Sequence, residues 1–134
     1  MALETAQGLL SLATSLLDPI KSYGQWKRDR KDRVADFCEK ISDCLAAVVE
    51  GAVGDGRISA RCGELSVYMD QLMQALEGVV DTARVRDFSA ILNNATINRT
   101  LVMELSDPLQ RAEAIAVIED AAGRFRGLSN VLRL

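Results

Sequence analysis

Residues 58–79, "ISARCGELSVYMDQLMQALEGV", decide the fold. Ile58, Cys62, Leu65, Met69, Leu72, Leu76 and Val79 recur alternately four and three residues apart. That spacing puts seven apolar side chains on one stripe of a helix, while a strand would alternate them every second residue. The stripe is a seam for packing against other helices in a bundle, and it predicts a helix from about Ser59 to Val80. Met69 and Met73 read as core fillers within it.

Upstream, "EGAVGDGRIS" (50–59) brings three glycines and Asp55 together, which supplies a helix stop and a turn. Before that loop, Val34, Phe37, Ile41, Leu45 and Val48 form a second helical stripe, with Asp29, Arg30, Asp32, Arg33, Asp36, Glu39 and Lys40 on the other faces. This long helix is expected to end near Gly51. Downstream, Val85, Phe88, Leu92, Ala95, Val102 and Leu105 predict a fourth helix, with the polar "NNATIN" (93–98) as a soft middle. Asp18-Pro19 and Asp107-Pro108 each place a capping side chain before a proline at a first helical position, so a helix is expected to start at each. The last helix carries the apolar series Leu109, Ala112, Ile115, Ala116, Ile118, Ala122, Phe125 and Leu132.

Composition agrees with this pattern. The 134 residues are 49% hydrophobic and 26% charged, which is globular, and long enough for one domain with a core that needs neither metal nor disulfide. Aromatics make up 4%, so the core is built from aliphatic side chains. The fold class expected is all-α, a bundle of four to five helices with an apolar N-terminal helix, 1–134 forming one helical-bundle domain.

That first helix is unusual in its charge. Between Met1 and Leu17 the one charged side chain is Glu4, while Leu3, Ala6, Leu9, Leu10, Ala13, Leu16 and Leu17 follow helical spacing. Gly8, Ser11, Thr14 and Ser15 fill the remaining surface, where the outer side of a bundle helix ordinarily carries charge. Next comes "KSYGQWKRDRKDR" (21–33), and it makes residues 1–33 net basic, with six basic and four acidic side chains. Residues 34–81 are acidic, with three and nine. A basic segment after an apolar helix suits an anionic membrane surface, and equally suits an acidic neighbouring helix of the same fold. Tyr23 and Trp26 stand where interfacial aromatics would, and also where a helix junction would pack them.

Several functions lose support at this point. The chain contains no histidine, the commonest metal ligand and general base. Its carboxylates are spread along helix faces, so neither an enzyme nor a metal or other cofactor is expected. Asp55, Gly56 and Glu64 imitate part of a calcium loop but lack its alternating acidic ligands. Cys38, Cys44 and Cys62 lie on or beside apolar stripes and read as small buried residues of a reduced protein. A net charge of −3 gives no case for nucleic acid. No signal peptide is convincing, and no apolar stretch reaches the ~20 residues of a membrane-spanning helix. The resting protein is therefore expected to be cytoplasmic.

In its pattern the chain resembles the N-terminal helical-bundle cell-death domains: the fungal HeLo and HeLo-like domains, the four-helix bundle of the mixed-lineage kinase-like pseudokinase, and the bacterial Bell domains. "LLSLATSLLDPIKSYGQW" (9–26), "RVADFCEKISDCLAAVV" (33–49), "CGELSVYMDQLMQAL" (62–76) and the closing helix carry the resemblance. It implies an effector that a regulatory sensor or amyloid-signalling partner holds or triggers, that self-associates on activation, and that moves to anionic membrane lipids and permeabilises them. The residues matching the inserting helix are Leu3, Leu9, Leu10, Leu12, Leu16 and Leu17. Those matching the head-group-binding part are Lys21, Lys27, Arg28, Arg30, Lys31 and Arg33. No signalling tail precedes Leu134, which leaves two expectations: a domain excised from a larger signalling protein, or activation by a separate chain. From the residues alone, a soluble helical adaptor for homotypic or effector-recruiting contacts in an immune or stress response stands as the alternative.

Overall fold

The computed structural model describes residues 4–15, 26–54, 58–76 and 101–134, with the backbone alone at 4, 5, 12, 15 and 59. Their regular structure is helical throughout, and the fold is an all-α bundle. In chain order the helices are α1 (Glu4–Ser15), α2 (Arg28–Val53), α3 (Ser59–Leu76) and α4 (Arg111–Leu132), with a helical stretch at 101–106 before α4. The expected helix over 82–105 is described from 101 on; Val79, Val85, Phe88, Leu92, Ala95 and "NNATIN" lie outside the described residues, as does Asp18-Pro19.

The seam on α3 is buried as its spacing requires: Ile58, Cys62, Leu65, Met69, Leu72 and Leu76 are all in the core, and Met73 packs against it. On α2, Val34, Ile41, Leu45 and Val48 are buried and Phe37 is half-buried against the same core. α2 packs on both α3 and α4, and α1 packs chiefly against α4 among the described elements. Among the described elements α2 is thus the central pillar and α1 an outer layer.

Two helix boundaries differ from expectation. α2 passes through Gly51 and stops at Gly54, whose N–H closes on the Glu50 carbonyl at 2.9 Å. A Cβ at Gly54 would meet that same carbonyl oxygen at 3.1 Å, so a side chain there would crowd the helix end. At the other boundary, regular helix begins at Arg111 rather than Pro108. Asp107 does act as a cap: its Oδ1 accepts the Leu109 N–H at 3.0 Å, and its carbonyl accepts from Arg111 at 2.9 Å. Residues 108–110 form the intervening turn.

The inner face of α4 also needs correction. Ala114, Ile118, Ala121, Phe125, Leu128 and Leu132 are buried, a four-three series like that of α3. Leu109, Ala112 and Ala116 are exposed, Leu109 to 94%. Alanine offers little apolar area, so the larger Ile118, Phe125, Leu128 and Leu132 set the rotation of the helix.

Polar ties fasten the layers. Arg30 Nη1 donates to the Ala75 carbonyl at 2.9 Å, joining the start of α2 to the end of α3. The Ser42 hydroxyl donates to the Ala122 carbonyl at 2.9 Å, joining α2 to α4. Lys40 sits 5.6 Å from the ring centres of both Phe37 and Tyr68, bridging α2 and α3 through its cation. Along the α2–α4 edge, Arg126 pairs with Glu39 and Asp43, and Arg133 with Asp36 and Glu39.

Candidate functional site

The candidate site is α1 together with the start of α2. α1 buries Ala6, Leu9 and Ala13 completely, and Leu10 packs half-buried against the core. Two of its three fully buried residues are alanines, so its described inner face is small for a bundle helix. Gln7, Ser11 and Thr14 are exposed and uncharged. The Thr14 hydroxyl turns back and donates to the Leu10 carbonyl at 3.0 Å, so this polar group is satisfied within the helix itself. Among the residues matching an inserting helix, Leu9 is core and Leu10 its border. The side chains of Leu3, Leu12, Leu16 and Leu17 lie outside the described residues.

The basic segment is only partly a cluster. Lys27, Arg28 and Arg33 are exposed, Lys31 is half-buried, and Lys21 lies outside the described residues. Arg28 forms an i,i+4 pair with Asp32 at 3.6 Å. Arg30 is half-buried and spends one donor on Ala75, so it serves first as a strut. Trp26 is half-buried and packs on the core, as a junction residue does.

Other chemistry is sparse. Cys38, Cys44 and Cys62 are free and buried. Burial pushes the Cys38 thiol up to about 12, and the Cys44 and Cys62 thiols up to about 11, the last also by the nearness of Cys44. Thiols held neutral in this way are poor nucleophiles and poor metal ligands. Among the described residues no group of three or more Cys, Asp or Glu is placed to hold a metal ion. Glu64 is exposed and paired with Arg61 at 3.9 Å, while Asp55 and Gly56 lie outside the described residues. A cavity of about 270 Å³ opens between Ala52, Val53, Gly54, Ile58, Leu105, Ser106 and Arg111. Arg111 Nε donates there to the Leu105 carbonyl at 2.9 Å. Among its described lining residues there is no nucleophile–base pair.

Glu104 stands outside every site expected from the sequence. It is 8% exposed and accepts the Ala6 N–H at 3.2 Å, tying the start of α1 to the stretch 101–106. The available signal was one acid set inside an apolar run, "LVMEL" at 101–105. None of the described helices is long and apolar enough to cross a membrane. No family model, curated protein or solved structure matches this chain.

Proposed function

We propose that the protein is a membrane-targeting cell-death effector domain of the HeLo-like kind, which self-associates on activation and permeabilises anionic membranes through α1. The observation that carries this reading is the exposed side of α1. It is uncharged at Gln7, Ser11 and Thr14, and the Thr14 hydroxyl is bonded inside the helix. Such back-bonding occurs in helices of any setting; it suits the reading because a helix entering a bilayer must satisfy its own polar groups.

Release has a cost that can be bounded. Exposing a buried leucine costs about 1.5–3 kcal/mol, and Leu9 is the one fully buried leucine of α1 among the described residues. Burial of the leucine series in lipid, with self-association, offsets it. The 12 residues of α1 reach about 18 Å at 1.5 Å each, well short of the hydrocarbon core of about 30 Å, so permeation calls for several copies or local thinning. Lys27, Arg28 and Arg33, exposed at the start of α2, are the cations best placed to meet anionic head groups. In this reading the trigger is a regulatory sensor or an amyloid-signalling partner, and the protein moves from the cytoplasm to the membrane.

Dye release from anionic liposomes tests the proposal, comparing the intact chain with one carrying Leu10→Glu and Leu16→Glu. Circular dichroism checks that both are folded. Leakage by the intact chain alone supports α1 as the effector. Silence from both, even after forced oligomerisation, rejects it.

An adaptor role has its own observation. Val53, 71% exposed, lines the cavity between α2 and the 101–106 stretch, and Leu109 projects from the turn linking Leu105 to Arg111. Exposed apolar side chains beside a concavity suit protein contact. A stoichiometric complex that Val53→Asp or Leu109→Asp abolishes, without membrane activity, would favour that reading.

A further inference from the structure

Ala6 is the third residue of α1, so its N–H is a first-turn donor that no carbonyl from Glu4 onward can reach. The donor is satisfied instead from 98 residues away in sequence, by Oε2 of Glu104 at 3.2 Å. Glu104 is enclosed: it is 8% exposed, and its neighbours Leu101 and Leu105 are core residues. A carboxylate removed from water needs strong partners, and the positive end of a helix dipole supplies one. Glu104 makes further interactions besides this one.

The energetic setting gives this contact leverage. The described inner face of α1 is Ala6, Leu9 and Ala13, a modest apolar attachment. A hydrogen bond to a buried ionised group is stronger than one between neutral partners. It therefore adds a directed polar tie to the described apolar attachment of the N-terminal turn of α1.

We propose that Glu104 is a latch: its carboxylate caps α1 across the fold and sets how often α1 detaches, while the other helices stay packed. Its biological sense rests on the reading of α1 as the effector helix, but the opening equilibrium belongs to the fold itself.

Hydrogen exchange read by mass spectrometry on the full chain tests it. Glu104→Gln keeps the size and an acceptor oxygen while removing the charge; Glu104→Ala removes both. The expected result is exchange of the α1 amides about tenfold faster in the glutamine variant and faster still in the alanine variant, with α2 and α3 unchanged. Leu72→Ala, deep in α3, serves as the comparison in which all helices loosen together. Unchanged α1 exchange in the glutamine variant overturns the latch, and so does an equal rise in every helix. Should the alanine variant fail to fold, the glutamine variant decides. Dye release by the same proteins separates this from the functional proposal. Faster α1 exchange without leakage leaves the latch standing and removes the membrane role. Unchanged exchange removes the latch whatever the vesicles do.

Discussion

At the residue scale, the buried thiols make a prediction with a definite sign. The Cys38 thiol is raised from 9.0 to about 12, chiefly by burial, with Arg133 pulling slightly the other way. The folded chain therefore keeps a proton that the unfolded chain loses above pH 9. Its contribution to stability is complete below pH 9 and falls away as pH rises toward 12. The loss is at most about 1.4 kcal/mol per pH unit for one thiol. Urea unfolding of the wild type and Cys38→Ala at pH 8 and pH 10.5 checks it: the stability gap between them should narrow at the higher pH. A gap that stays constant would mean that water reaches Cys38 readily. Phe125 gives the contrasting case, a neutral side chain that is wholly buried on α4. Phe125→Ala should cost about 3–5 kcal/mol at either pH, because what is lost is packing.

Among the elements, legibility followed the size of the side chains. The α3 seam could be read from sequence because Ile58, Leu65, Met69, Leu72 and Leu76 are large and define one stripe, and each described member is buried. On α4 the alanines blurred the pattern: Ala112 and Ala116 are exposed while Ala114 and Ala121 are buried, and nothing in an alanine distinguishes them before packing is known. Contacts between distant segments were the least legible. Glu104 with Ala6, Arg30 with Ala75 and Ser42 with Ala122 each depend on a backbone group, which every residue carries. The ion pairs on the α2–α4 edge belong to this class, and their strength can be predicted. Arg126 and Glu39 pair at 3.2 Å with both side chains around 40% exposed (42% and 39%). Water and salt screen such a pair, so an Arg126→Ala, Glu39→Ala double-mutant cycle should give about 0.2–1 kcal/mol at low salt and nearly nothing at 1 M salt. A coupling that persists at 1 M salt would show that Arg126 and Glu39 are effectively shielded from solvent.

For the whole molecule, the question is whether α1 is a necessary part of the bundle or a layer upon it. Of the twenty-five buried apolar residues described, α1 supplies Ala6, Leu9 and Ala13, and α2, Ile58, α3, α4 and the 101–106 stretch supply the rest. The ties Arg30–Ala75, Ser42–Ala122 and Arg126–Glu39 all join the remaining helices without α1. Removing residues 1–15 strips one layer from α4 and lets water reach Glu104, whose carboxylate is then solvated rather than stranded. The truncated chain should stay helical and unfold in one cooperative transition at lower temperature. Its urea m-value should fall by roughly a tenth, in proportion to the surface removed. Far-ultraviolet circular dichroism during thermal and urea unfolding measures both. If α1 is the effector, this folded remainder should also have lost all dye release. Leakage retained by the truncated bundle would move the membrane activity elsewhere in the fold. A truncated chain that cannot fold would make α1 an integral core helix, and a helix that the bundle cannot spare is poorly suited to leave it.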